Sequence, residues 1–314
     1  MLELTPVCEL MLQAPASEGR GTYLAAASGL LQVKEYLYVV ADDENHLGIF
    51  SSEQPAEAGT TLTLLEGVLP DEYEERKAAK PDFEALILLP AFEQYKHGAL
   101  LALGSGSKKK RRQGVVLGLD IHGAINTEPH IVDFSELYEV LKQRFAKLNI
   151  EGGFVRGATL YLLQRGNKKN SENALIALSW VEVEQAIVEA KPISREALGN
   201  IQAYGLGMVG DVPLCFTDAT LLPSGSWVFS AAAEATDDNY NDGAFVGGAI
   251  GVINAQGSIC VLERIDERYK VEGVSARLEA DTVHLLLVTD ADDASRPAQL
   301  LQTTLSGYPW THCD

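Results

Sequence analysis

Short apolar runs, rich in Val, Leu, Tyr and Phe, recur along the chain and are separated by polar loops rich in Gly, Asp and Asn. Typical stretches are LYVVADDENH, GVVLGLD, TLYLLQRGN and VHLLLVTDADD. Apolar runs of about four to eight residues that end in such loops are typical of β-strands rather than helices. The pattern therefore predicts an all-β protein.

A repeat organises these runs. Five segments share a motif in which a short polar or acidic residue is followed by Gly or Ala and then by an apolar run: AASGLLQV, DFEALILL, NIEGGFV, FTDATLL and KVEGVSA. The motif residues are Ser28, Glu84, Glu151, Asp218 and Glu272, spaced by 56, 67, 67 and 54 residues. Each segment is followed by a second run that ends in a polar loop and by a third run. Radial repetition of four-stranded units predicts a β-propeller.

Five such units nearly fill the 314 residues and predict a single β-propeller domain over residues 1–314 with five blades. The fifth unit has only three runs, whereas LELTPVCELML precedes the first motif. We therefore expect an N-terminal strand to complete the last blade and close the ring, which removes an exposed sheet edge. The alternative is six blades, with a weak blade hidden in residues 188–215.

Two helical insertions are predicted between blades. Residues 134–148, FSELYEVLKQRFAKL, carry apolar residues at helical spacing, with Ser135 placed to cap the helix. The stretch REALGNIQAYG predicts a further short helical turn before the fourth blade.

Charge and composition narrow the function classes. The formal net charge is −19, with 44 acidic and 25 basic residues, which disfavours nucleic acid and anionic membranes as partners. The chain has no apolar run of membrane-spanning length, and no signal peptide is recognised at its start, so we expect a cytoplasmic protein. The four cysteines lack C-x-x-C spacing, so no zinc site is expected. Any bound anion must find a local basic pocket.

The repeat predicts a ring of acidic residues at the central channel. Radial symmetry brings the five motif residues to one level, and four carboxylates so close together need a counterion. Hard oxygen ligands suit Ca²⁺ or Mg²⁺. The predicted metal ligands are Glu84, Glu151, Asp218 and Glu272. The alternative is that these carboxylates accept backbone N–H groups of neighbouring blades and are structural.

The loops after the second strands are predicted to lie beside this ring. In four of the units they carry Asp42, Asp43, Arg165, Glu234 and Asp290. In the second unit the corresponding loop is GSGSKKKRR, which does not match the sequence pattern of a phosphate-binding P-loop. Arg165 either pairs with Glu151 or Glu84, or binds an anionic substrate. The predicted substrate-binding residues are Arg165, Arg112, Ser105, Ser107 and Asp42.

The predicted catalytic residues are Glu151, Asp218 and His46. His46 ends the DDENH loop near the expected channel mouth, where it serves either as an acid or base or as a surface or capping residue. Asp237, Asp238 and Asp242, in EATDDNYNDG, are interpreted as a solvated loop or a weak cation site.

Several of these stretches resemble a known family. DDENHL, DFEAL, LGSGS followed by RR, LNIEGG, LQRGN, and FTDAT with AAAEATDD resemble a bacterial family of β-propellers of unknown function, distantly similar to esterase-like phytase propellers. The resemblance covers nearly the whole chain. It implies the propeller fold, and the distant similarity raises the expectation of a calcium-assisted ester or phosphoester site.

Two functions follow from this sequence. The first is a hydrolase in which a divalent cation held by the carboxylate ring polarises a small anionic ester or phosphoester and activates water, while Arg165 and Arg112 orient the anionic group. The second is a non-catalytic propeller that binds a small ligand or a protein partner on its loop face, with a purely structural ring.

Overall fold

The computed structural model describes residues 1–236 and 243–306. The acidic stretch with Asp237, Asp238 and Asp242 lies outside the described residues. The chain begins with β1 (Thr5–Glu9), which is followed by five successive groups of strands. The first four groups each form a four-stranded antiparallel sheet, and the fifth group, of three strands, forms one together with β1, so the prediction of a five-bladed propeller is confirmed.

The strands and helices follow one another in a regular order. The first blade contains β2 (Ala27–Val33), β3 (Tyr36–Ala41), β4 (His46–Ser51) and β5 (Thr60–Thr63). After α1 (Tyr73–Ala79), the second blade contains β6 (Phe83–Leu89), β7 (Ala99–Gly104), β8 (Gln113–Gly118) and β9 (His130–Asp133). After α2 (Ser135–Arg144), the third blade contains β10 (Ile150–Arg156), β11 (Thr159–Gln164), β12 (Asn173–Ser179) and, beyond α3 (Trp180–Val188), β13 (Leu198–Tyr204).

A two-stranded ribbon, β14 (Met208–Val209) with β15 (Val212–Pro213), leads to the remaining blades. The fourth blade contains β16 (Cys215–Leu221), β17 (Trp227–Glu234), β18 (Phe245–Ile253) and β19 (Ile259–Arg264). The fifth contains β20 (Val271–Glu279), β21 (Thr282–Thr289) and β22 (Gln299–Ser306). Residues 188–215 hold β13 and the ribbon, so the alternative of a sixth blade is wrong.

The N-terminal strand closes the ring, as predicted. β1 pairs antiparallel with β22, with Thr5 opposite Gln302 and Glu9 opposite Gln299. The last sheet therefore joins residues from both ends of the described chain, and its outer edge is covered by β1. Closure of this kind holds the first and last blades in register without a covalent link.

The inserted helix is confirmed, with two differences in detail. α2 ends at Arg144, and Phe145 and Leu148 continue as non-helical chain whose side chains stay buried in the core. Ser135 is the first helical residue rather than the cap: its backbone N–H donates to Asp133 Oδ1 at 2.8 Å, so the Asp133 carboxylate fulfils the capping role. In REALGNIQAYG, only Arg195–Ala197 form a 3₁₀ turn, and the rest is β13.

The core lies between neighbouring blades. Among the described residues, five apolar clusters each join two adjacent sheets. Side chains of β7 alternate between two of them: Leu101 and Leu103 pack toward the third blade, whereas Leu100 and Ala102 pack toward the first. Strands buried on both faces are apolar at nearly every position, which explains the continuous apolar runs in the sequence. Within the described ranges, no helix is long and apolar enough to cross a membrane.

Candidate functional site

The innermost strand of every blade carries a β-bulge near its start. In each strand the pairing with the second strand skips one residue, and those residues are Ser28, Glu84, Glu151, Thr217 and Glu272. A bulge re-aims the side chain of the extra residue, and here four of the five side chains line one cavity at the ring centre. The cavity has a volume of about 130 Å³ and is called the axial cavity below.

Asp218 does not occupy the ring position that the sequence predicted. The fourth bulge residue is Thr217, whose hydroxyl donates to the Val271 carbonyl at 3.1 Å and lies 2.7 Å from the Ser230 hydroxyl. Asp218 corresponds instead to the small residues after the other bulges, namely Gly29, Ala85, Gly152 and Gly273. The prediction of its place failed because a shift of one residue in a strand reverses the side chain's direction.

Asp218 instead joins inner strands of different blades. Its carboxylate accepts the backbone N–H of Ala219 at 2.7 Å and of Val274 in the fifth blade at 2.9 Å. Burial raises the pKa of Asp218 well above its ordinary value, while the N–H groups of Val274, Ala219 and Leu30 act in the opposite direction. Leu30 belongs to the first blade, so this one side chain contacts three blades.

A second ring of residues lies two positions before each bulge. The residues at this position are Ala26, Asp82, Asn149, Cys215 and Lys270, and all of them line the axial cavity. Residues two apart along an extended chain point to the same side, which places this ring beside the first. The sequence analysis did not identify Asp82 and Lys270, although each lies two residues before a motif residue.

The loops after the second strands reach the axial cavity as predicted. Asp42, Asp43, Arg165, Glu234 and Asp290 all line it. α1 and the segment that follows it also contribute, through Arg76, Lys77 and Lys80. These basic residues lie outside the repeat, so no comparison between units could identify them.

Arg165 holds together carboxylates of three blades. Its guanidinium lies 3.2 Å from Glu151 Oε2, 3.1 Å from Glu234 Oε1 and 3.4 Å from Glu272 Oε2. All four side chains are buried or nearly so, at 13% exposure or less. Arg165 thus pairs with Glu151, as one of its two predicted roles required, and adds two partners that the sequence did not indicate.

Lys270 makes a second set of ion pairs on the same side of the cavity. Its ammonium lies 2.8 Å from Glu234 Oε1, 3.2 Å from Glu272 Oε1 and 2.6 Å from Asp292 Oδ1. Glu234 and Glu272 therefore each face both Arg165 and Lys270. The fourth and fifth blades are linked through charges that have left bulk water, where such pairs interact strongly.

The opposite side of the cavity is organised around Asp82. Lys80 Nζ lies 3.0 Å from Asp82 Oδ1 and donates to Asp42, and Arg111 Nη1 lies 2.7 Å from Asp82 Oδ2. The Ser105 hydroxyl also donates to Asp82, and the Ser105 and Ser107 hydroxyls lie 2.9 Å apart. Ser105 and Ser107 thus support Asp82 and are absent from the described lining of the cavity.

Three carboxylates on this side have the arrangement of a cation site. Asp42, Asp82 and Glu84 each offer an oxygen, and these oxygens lie within 4.8 Å of one another. Glu84 makes no hydrogen bond or ion pair with any described residue. Of the four metal ligands predicted from the sequence, only Glu84 belongs to this group; Glu151 and Glu272 face Arg165, and Asp218 binds backbone N–H groups. The Lys80 ammonium already interacts with Asp42 and Asp82, so a metal ion must compete with it.

Neighbouring carboxyl groups differ strongly in proton affinity. Burial raises the pKa of Glu151 to about 8, with Arg165 opposing the shift and Glu272 adding to it. For Glu234, burial is outweighed by Arg165 and Lys270, which lower its pKa to about 2. Burial and the nearby Glu151 raise the pKa of Glu84 well above its ordinary value. At neutral pH, Glu151 therefore holds a proton and Glu234 is ionised.

Two further predicted site residues, besides Asp218, Ser105 and Ser107, lie away from the axial cavity. His46 is buried beside Glu44, with Nδ1 3.7 Å from Glu44 Oε2. Arg112 pairs with Glu139 of α2, on the other side of its hairpin from Arg111. Neither residue is among the described lining of the cavity. Adjacent residues of one segment point in different directions, and the sequence alone did not show which arginine faces inward.

Comparisons with known proteins identify a family and a fold. The sequence model of DUF6929, a family of unknown function, matches residues 23–305. No curated protein sequence matches the chain.

Solved structures share the architecture at low identity. The catalytic domain of the GH62 α-L-arabinofuranosidase of Coprinopsis cinerea is 9% identical over 96% of this chain and 97% of that one, with a TM-score of 0.55. A luciferin-regenerating enzyme is 12% identical over 96% of each chain, with a TM-score of 0.42. Drosophila Semaphorin 1a, extracellular domains 1–2, is 10% identical over 94% of this chain and 80% of that one, with a TM-score of 0.45. At such identities the likeness shows the fold alone.

Proposed function

Because the chain belongs to DUF6929, a family of unknown function, we propose its activity from the axial cavity: it is a hydrolase that cleaves a small anionic ester or phosphoester with the help of a divalent cation. This proposal includes the expected likeness to esterase-like phytase propellers. The support for a hydrolase comes from the residues of the axial cavity rather than from the fold, because propellers carry many functions.

The observation that carries the proposal is a pair of carboxyl groups that share one arginine and hold opposite protonation states, because burial dominates at Glu151 whereas Arg165 and Lys270 dominate at Glu234. Arg165 contacts both Glu151, with a pKa of about 8, and Glu234, with a pKa of about 2. Environments that separate the pKa values of neighbouring carboxyls are typical of acid–base sites. Glu151 is the general acid, which donates its proton to the leaving oxygen. Arg165 orients the anionic group of the substrate.

Asp42, Asp82 and Glu84 would hold the cation, Ca²⁺ or Mg²⁺, because both ions prefer carboxylate oxygens. When bound, such an ion supplies Lewis-acid polarisation of the substrate oxygen. The described lining of the cavity has ten acidic and six basic residues, and with Glu151 protonated its formal charge is −3. An anionic substrate therefore needs the cation as a partner. The volume of about 130 Å³ suits the reacting group rather than a whole large substrate.

The first experiment measures melting temperature and hydrolysis in the presence of Ca²⁺, Mg²⁺ or EDTA, with p-nitrophenyl phosphate as the anionic phosphoester and mono-p-nitrophenyl succinate as the anionic carboxylic ester. We expect stabilisation by at least one cation and cation-dependent turnover. Glu84→Gln should abolish the stabilisation, and Glu151→Gln should remove turnover while the cation still stabilises. Glu182→Gln, at an exposed carboxylate of α3, is the matched control. The proposal is refuted if EDTA leaves the turnover of the parent protein unchanged, or if Glu151→Gln hydrolyses the substrates as fast as the parent protein does.

A second function, a non-catalytic propeller that binds a small ligand or a protein partner, is favoured by a different observation. Arg165, Lys270, Lys80 and Arg111 all face internal carboxylates, so much of the charge is neutralised within the protein. Under this function Glu151→Gln chiefly changes stability, and no cation shifts the melting temperature of the parent protein.

A further inference from the structure

A second cavity lies on the other side of the segment that walls the axial cavity. Its volume is about 480 Å³, within the range of small-molecule sites and well above that of the axial cavity. Residues 65–69, which follow β5, form one side, and Pro81 and the beginning of α2 form the others. We call it the lateral pocket. Pro81 stands between Lys80 and Asp82, both of which face the axial cavity.

The lateral pocket has the opposite charge balance from the axial cavity. Its described lining includes the basic residues Lys109, Lys110 and Arg112 and the acidic residues Glu66 and Asp133. The Asp133 carboxylate is already engaged by the backbone N–H of Ser135. Arg112 is paired with Glu139, so the rim residues Lys109 and Lys110 supply the positive charge of this lining that has no ion-pair partner among the described residues.

Arg112 is the buried element of the lateral pocket. Its side chain is only 10% exposed, and its guanidinium pairs through Nη1 with Glu139. Its Nε–H has no acceptor among the described residues. This N–H is itself shielded from solvent, so it leaves Arg112 with an unused donor at the floor of the pocket rather than one open to it. An arginine also presents donors in a planar fork that matches phosphate oxygens.

We propose that the lateral pocket binds a small phosphate-bearing molecule without a metal ion. Lys109 and Lys110 supply exposed ammonium groups at the rim, and Arg112 supplies a fixed guanidinium beneath them. The concave shape and the volume favour a compact soluble molecule.

This site is independent of the proposed hydrolase. The axial cavity has excess negative charge and needs a cation to accept an anion, whereas the lateral pocket does not. Removal of metal ions therefore separates the two. Binding in EDTA reports on the lateral pocket, and cation-dependent stabilisation reports on Glu84 and its neighbours.

The experiment is calorimetric titration of the intact protein with inorganic pyrophosphate in EDTA at physiological salt. We expect saturable binding, weakened about tenfold in the double variant Lys109→Gln, Lys110→Gln, because two charge-assisted contacts are lost. Lys108→Gln removes a single charge from the neighbouring residue, which lies outside the described lining, and should change affinity less than twofold, whereas the single variants Lys109→Gln and Lys110→Gln should each weaken binding more. Arg112→Lys should weaken binding by at least as much as the double variant, and its melting curve reports whether it is folded.

Three results overturn the proposal. The first is the absence of pyrophosphate binding to the parent protein in EDTA. The second is equal weakening by Lys108→Gln and by either rim lysine, which indicates only a diffuse charge effect. The third is unchanged affinity in both Arg112→Lys and the double rim variant, which places the pyrophosphate outside the lateral pocket.

Discussion

Replacement of Asp218 by alanine tests whether this residue joins the blades. The change removes the carboxylate acceptor of the Ala219 and Val274 N–H groups and the interaction with Leu30, at a side chain that is 1% exposed. Each buried donor left without an acceptor costs about 1–3 kcal/mol. Since the buried carboxyl is itself destabilised, as its raised pKa shows, we expect a net loss of about 3 kcal/mol in the free energy of unfolding.

Equilibrium unfolding in urea measures this loss. Asp218→Asn keeps one oxygen acceptor and should fall between the parent protein and Asp218→Ala. Glu182→Ala, at an exposed site of α3, should change the free energy of unfolding by less than about 0.5 kcal/mol. If Asp218→Ala is as stable as Glu182→Ala, or if alanine is better tolerated than asparagine, the bridging role is wrong.

Three further predictions concern Glu151, Arg165 and the start of α2. The pKa of Glu151 is about 8 in the folded protein and 4.5 ordinarily, so the folded state binds the proton more tightly and the free energy of unfolding falls as the pH rises from 4.5 to 8. Glu151→Gln should lose this part of the fall when melting temperature is measured against pH. If the parent protein and Glu151→Gln lose stability in parallel over this range, the prediction is wrong. Arg165→Ala leaves three buried carboxyl groups, including the ionised Glu234, without their arginine and should lower the free energy of unfolding by about 3–5 kcal/mol, measured in urea. Asp133→Ala should lower the unfolding free energy by about 1 kcal/mol through loss of the α2 cap, and Ser135→Ala should leave it nearly unchanged; equal effects contradict the assignment.

The repeat was sufficient to predict the blades because the same structural requirement recurs in each of them. Every blade needs a strand that can lie near the axis, and the polar residue followed by a small one marks the start of that strand. The length of the chain then limits the blade count. α3 was missed because its apolar residues Trp180, Val183 and Ile187 directly continue the apolar run of β12, which hides the change of period.

The site was predictable only as far as the repeat extends. Arg165, Glu151 and Asp42 were found because they occupy equivalent positions in their units. Lys80 was not, because it follows α1, an insertion that the other units lack. Asp218 shows a different limit. The bulge that separates Thr217 from Asp218 is a pairing feature, and the letters FTDAT fit either register.

The basic run KKKRR serves two cavities rather than one. Arg111 pairs with Asp82 at the axial cavity, whereas Arg112 pairs with Glu139 and lines the lateral pocket. A 3₁₀ turn, Lys109–Arg111, ends between the two arginines. The run therefore neutralises a buried carboxylate on one side and leaves a cationic surface on the other. Because the two side chains point to different cavities, they do not form a single anion site. Substitution of Arg111 should affect the axial cavity, and substitution of Arg112 should affect the lateral pocket.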